Sequence, residues 1–168
     1  NILEAIEITI KESSKLLSHL VIDHVEIYEN HGSYLKDNIN VIEKIEVITQ
    51  TYKELVEDIL VSTAEYLRRI TKTTEGLSDK FYKIPTSDDW NKLKDLLTGV
   101  SWIISGFSSI DSDKNLNHVV SSYEDWNQYA AVVYSLGDIM QEFEEALANS
   151  DNIAIADILL YELQPIFI

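Results

Sequence analysis

The sequence predicts an all-α fold, an up-and-down helical bundle of four long helices plus a short C-terminal helix. Three observations carry that prediction. Apolar residues recur at three- and four-residue steps, glycine and proline number only five and two, and no stretch stands out as strand-like alternation. With 168 residues and 45% apolar composition, the chain has a normal length and apolar content for one domain, residues 1–168, with its own core.

The first helix is expected from Ile2 to about Asn30, with Leu3, Ile6, Ile10, Leu17, Leu20, His24 and Tyr28 along one face. His31-Gly32-Ser33 supplies the break, glycine suiting a left-handed C′ position and Ser33 an N-cap. Neither glycine nor proline occurs from Ser33 to Glu75, where Leu35, Ile39, Ile42, Ile45, Tyr52, Val56, Ile59, Leu67 and Ile70 keep the same rhythm. One long helix, or two nearly collinear ones, follows; its length would be on the order of 60 Å, which implies a kink or an overhang. The β-branched run Val47-Ile48-Thr49-Gln50-Thr51 is its weakest part by helix propensity.

Gly76-Leu77-Ser78 is expected to end that helix, and Thr86 or Ser87 to cap a third running from about Asp88 to Ser109. Trp90, Leu93, Leu96, Leu97, Val100, Ile103, Ile104 and Phe107 form its apolar set. Asp111-Ser112-Asp113 breaks the pattern. A fourth helix then starts at about Leu116 or Ser122 and reaches Asn149, with Ala130, Val133, Leu136, Ile139, Met140, Phe143 and Leu147 facing inward. The last helix runs from Asp151 to about Leu163, and Pro165 stops it. Asp89-Trp90-Asn91 and Asp125-Trp126-Asn127 echo each other 36 residues apart, which reads as a shared way of starting a helix, an acid in the first turn and an aromatic opening the buried stripe, with a duplicated helix as the alternative.

Charge narrows the functional classes. The formal net charge is −16, so the field of the molecule repels phosphate backbones and anionic lipid head groups, and neither nucleic acid nor membrane is an expected partner. Residues 1–115 hold all 13 basic residues, whereas 116–168 hold nine acids and no lysine or arginine. Cysteine is absent, which excludes disulfides, thiolate metal sites and a cysteine nucleophile. No apolar run approaches the roughly 20 residues that span a bilayer, and Asn1-Ile2-Leu3-Glu4 does not open a signal peptide, so a cytoplasmic location is expected.

Chemistry is hard to find. None of the four histidines follows an acid by three residues, against the Glu-x-x-His pairs of di-iron and di-manganese bundles. His24 and His31, with Asp23, Glu26 and Glu29 nearby, are the strongest metal candidates, but two helical turns put them about 10 Å apart, too far to share an ion readily. No Gly-x-Ser-x-Gly elbow and no phosphate-cradling glycine loop is present, and no cofactor is expected. Trp90, Trp102 and Trp126 read most simply as core or core-edge residues.

The C-terminal ending, Asn149-x-Asp151 followed by Asp157-x-x-x-Tyr161-Glu162-x-x-Pro165, resembles that of a group of small helical proteins from Firmicute bacteria, as does the Trp90–Trp102 helix with Leu96-Leu97-x-Gly99. The resemblance covers the second half of the chain and implies a helical bundle in a bacterial cytoplasm, with no activity attached. The apolar finish Pro165-Ile166-Phe167-Ile168 departs from that pattern and is compatible with docking onto a neighbouring subunit. The expected function is a non-enzymatic, adaptor- or chaperone-like interaction protein whose acidic, aromatic last third binds a basic or amphipathic protein segment. Tyr123, Trp126, Tyr129, Asp157, Tyr161 and Glu162 are the candidate surface. The alternative is a metal-dependent enzyme using the histidines and acids of the first helix, and a homodimer is compatible with the long second helix.

Overall fold

A computed structural model describes residues 2–113 and 116–167, without the Glu75 side chain; Ile168, the end of the apolar finish, lies outside the described residues. The fold is mainly α-helical, at 73% helix among the described residues, and adds a small three-stranded sheet. The chain divides into two compact units, residues 1–57 and 58–168.

In the first unit the structure corrects the helical expectation. Helix α1 ends at Ser13 (Ile2–Ser13) and is followed by strands β1 (Leu16–Ile22) and β2 (Val25–Ile27), then helix α2 (His31–Asn38) and strand β3 (Ile45–Gln50). The sheet is antiparallel in the order β2-β1-β3. Asp23 and His24 form the two-residue turn between β1 and β2, with φ of 47° and 71°. Positive φ at both centres gives the backbone twist that a two-residue hairpin needs, and aspartate tolerates the left-handed region better than most residues. Asp23 also accepts the backbone N–H groups of Glu43 and Lys44, the latter at 2.7 Å, which ties the turn to the start of β3.

The apolar rhythm read as one face of a first helix is divided among these elements. Ile6 of α1, Leu20 and Ile22 of β1 and Leu35 of α2 make one buried cluster, with Ile45 and Val47 packed on it. In the pleat Leu20 pairs with Val47 and Ile22 with Ile45, so the sheet buries one face against the helices. Register slips at Ser18, where β1 carries one residue more than β3 between the Leu17–Thr49 and His19–Ile48 pairs. The expected second helix is likewise broken: its weak Val47–Thr51 stretch lies largely within β3.

The second unit is built on three long helices, α3 (Tyr52–Phe81) from residue 58 onward, α4 (Ser87–Asp111) and α6 (Tyr123–Ala148), with the short α5 (Leu116–Val119) before α6. Gly76 does not end α3, which continues to Phe81. Thr86 caps α4 by accepting the Asp89 N–H, while the Asp89 carboxylate accepts from the Thr86 N–H and hydroxyl. Ser122 caps α6 by accepting the N–H of Asp125. The echo between the two Asp-Trp-Asn segments is thus a shared hydroxyl cap three residues before an aspartate.

Along α4, Leu93, Leu96, Val100, Ile103, Phe107 and Ile110 are buried at alternating three- and four-residue steps, and α6 answers with Trp126, Val133, Leu136, Ile139, Phe143 and Ala146. Helix α6 closes on a Schellman motif. Ser150 takes φ 54°, its N–H reaches Leu147 O, and the Asp151 N–H reaches Ala146 O.

Asp151 then caps α7 (Asn152–Asp157), which widens into a π-helical segment, Ile158–Leu163, and ends in α8 (Gln164–Ile166). Pro165 sits inside this last turn rather than stopping the helix. Its ring would collide with the carbonyl four residues back in a regular α-helix, and the wider turn relieves that collision; the Gln164 N–H bonds Leu159 O, five residues back.

Candidate functional site

The C-terminal turns of α6 run beside α7 and the π-helical segment, and their polar sides form an open groove of about 450 Å³. Its acids are Glu142 and Glu145 on α6, Asp151 in the connection, and Asp157 and Glu162 on the closing segment. The local pattern explains the arrangement. Glu142, Glu145 and Asn149 follow a three-then-four step offset by one residue from buried Phe143 and Ala146, so they face away from the core beside it. Asp157 and Glu162 are five residues apart, one π-helical repeat, and both line the same groove.

The acids are held differently. The Asp151 carboxylate accepts the N–H groups of Ile153 and Ala154 at 3.1 and 2.9 Å. Asp157 accepts the Tyr82 hydroxyl at 2.5 Å, a bond that, with burial and the carboxylate charge, pushes the Tyr82 phenol far above its ordinary value. Tyr161 lies beside Tyr82 and is 68% exposed, so the two phenols stand together next to the acids. Glu162 is half-buried, and that burial, followed by the charge of Glu142, raises its carboxyl above the usual glutamate range. No lysine or arginine is among the described residues that line the groove. A crowded set of carboxylates without an internal cation stores repulsion that an incoming positive charge relieves.

Of the six surface residues expected from sequence, the structure brings Asp157, Tyr161 and Glu162 together here and leaves the other three elsewhere. Tyr123 is exposed in the first turn of α6. Trp126 is 7% exposed, stacked on Phe107 with ring centroids 5.2 Å apart, and its indole N–H donates to Asp111 at 2.8 Å. That burial removes Trp126 from any docking surface. Tyr129 packs edge-on against both Phe107 and Trp126. Trp90 and Trp102 are 36% and 43% exposed, at the edge of the core.

The surface expected from sequence did not include Tyr82, Glu142 or Glu145. The step of Glu142, Glu145 and Asn149 was a visible signal for the α6 side; nothing local marks Tyr82, which meets Asp157 from 75 residues away. The first-helix histidines do not share a helical stripe: His24 lies in the hairpin turn, and the His31 ring bonds Ile27 O at 2.9 Å. Among the described residues no three His, Asp or Glu side chains are grouped to hold a metal ion, and no helix is long and apolar enough to cross a membrane.

The family described as "Domain of unknown function (DUF8042)" matches residues 58–168, which is the whole second unit and two thirds of the chain. The chain belongs to this family. No curated protein and no solved structure matches it. The DUF8042 match contains α4, α6 and the groove in full, so the candidate site is a feature of the family portion of the chain.

Proposed function

We propose that this protein is a non-enzymatic, adaptor- or chaperone-like interaction module that takes a basic or amphipathic segment of a partner protein in its acidic groove. The observation that carries the reading is the groove itself: five carboxylates among its lining residues, no basic residue among them, and two phenols beside them. A lysine or arginine entering there gains carboxylate partners and a tyrosine face at Tyr161, while the −16 field steers it in. The resemblance of the C-terminal half to small helical proteins of Firmicute bacteria supports a bacterial cytoplasmic setting for such a partner.

Fluorescence anisotropy with a labelled peptide of alternating lysine and leucine tests the reading. Binding should weaken between about 50 and about 300 mM NaCl. The double variant Glu142→Gln/Glu162→Gln should weaken it by a further fivefold or so, on the order of 1 kcal/mol. Glu7→Gln/Glu12→Gln removes the same charge from α1 and should leave affinity nearly unchanged. Equal losses from both pairs would mean that the peptide senses only the overall field, and the groove assignment would fall.

A further inference from the structure

Helices α3 and α4 run antiparallel, and two glycines of α4 set how closely they approach. Gly106 faces Ile59, and Gly99, seven residues earlier, faces Tyr66, seven residues later on α3. The Tyr66 ring occupies the space a Cβ at residue 99 would need, and its hydroxyl donates to Leu96 O at 3.3 Å. Against this ring a separate cavity of about 260 Å³ opens between the two helices. Tyr66, Ile70 and Leu96 give it apolar walls. Arg69 and Thr73 from α3 and Lys92 and Asp95 from α4 give it polar ones.

We infer that this cavity binds a small organic monocarboxylate with an apolar, ring-sized body. Size sets the body: an enclosed cavity of about 150 Å³ holds benzene, and this solvent-open cleft of about 260 Å³, with Arg69, Lys92 and Asp95 exposed at its rim, takes one ring lying against Tyr66 with a short acidic arm. Charge sets the head group. Two cations meet here, one from each helix, in a chain whose net charge is −16. Lys92 is paired with Asp88 at 2.6 Å, whereas Arg69 has no carboxylate within ion-pair distance among the described residues, so its planar fork is free to take a carboxylate from two sides. Asp95 repels a second negative charge, which disfavours a phosphate dianion. Tyr66, held over Gly99, supplies a fixed wall for the ring. The site shares no residue with the acidic groove and does not depend on it.

Amide NMR titration of the full chain tests the inference, with 3-phenylpropanoate as the probe and 3-phenylpropan-1-ol and inorganic phosphate as comparators. The carboxylate should shift amides around Tyr66–Thr73 and Lys92–Leu96 saturably, with an apparent Kd at least about fivefold lower than the alcohol, the factor expected of one charge contact in a wet site. Arg69→Gln should erase that margin and Arg68→Gln, the same charge change on a neighbouring exposed residue, should keep it. Gly99→Ala, which displaces the Tyr66 wall, should weaken carboxylate and alcohol alike. The inference is overturned if the alcohol or phosphate binds as tightly as the carboxylate. Equal effects of the two arginine variants, or no saturable shift by about 10 mM, would also overturn it.

Discussion

Replacing Gly99 by alanine should destabilise the second unit, although alanine is the better helix former. A Cβ built at residue 99 lies 2.6 Å from Tyr66 Cε2 and closer still to Cζ and the hydroxyl oxygen, so the ring has to leave its place. Displacement costs the hydrogen bond to Leu96 O, at the weak end of about 0.5–1.5 kcal/mol given its 3.3 Å length. It also loses about 1–2 kcal/mol of apolar contact from the half-buried ring. Relief of the mid-helix glycine returns about 0.5–1 kcal/mol. The net expectation is a loss of about 0.5–2 kcal/mol.

The decisive arm is the same change in a Tyr66→Ala background, where nothing occupies the space and Gly99→Ala should stabilise by about 0.5–1 kcal/mol. Urea unfolding followed by tryptophan fluorescence is the assay, because all three tryptophans lie in residues 58–168 and report that unit alone. If Gly99→Ala stabilises both backgrounds to the same extent, the ring is not held against residue 99 and the account of the α3–α4 approach is wrong.

Two further predictions concern the candidate groove and its frame. Ser150→Gly should stabilise by about 0.5–1 kcal/mol, because Ser150 holds a left-handed backbone at the end of α6 that costs an L-residue more than glycine; a destabilised variant in the same fluorescence assay would contradict the Schellman ending. Glu162→Gln should raise Tm at pH 7. Burial and Glu142 lift the folded-state value of Glu162 above its unfolded one, so the folded chain holds this proton more tightly. The stability linked to Glu162 is therefore complete below the ordinary glutamate value and is lost as pH rises through the raised folded one. The gain from glutamine should shrink towards zero as pH is lowered to about 4, and a gain that does not vary with pH would refute the assignment.

The second unit was largely legible in the sequence because its signals are local. Hydroxyl caps at Thr86 and Ser122, an aspartate three residues later in each case, and a buried residue at every third or fourth position specify α4 and α6 without reference to any other part of the chain. The charge asymmetry was equally visible, since it needs only counting. The first unit was not legible. Leu16-Leu17-Ser18-His19-Leu20-Val21-Ile22 is so densely apolar that it satisfies a helical stripe and a strand pleat equally, and the tie is broken by β3, more than 20 residues further on. The turn at Asp23 and His24 carries no glycine to announce it.

What the sequence determined by itself was therefore the helical character of residues 87–111, 123–148 and 152–163, their caps and the acidic weight of the last third, because each follows from neighbours along the chain. Only the tertiary structure decided that Tyr82 meets Asp157, that Glu142 crowds Glu162, and that Trp126 is buried while Tyr161 is exposed. Those facts depend on which helix faces which, and a groove made from two elements has no signature in either one alone.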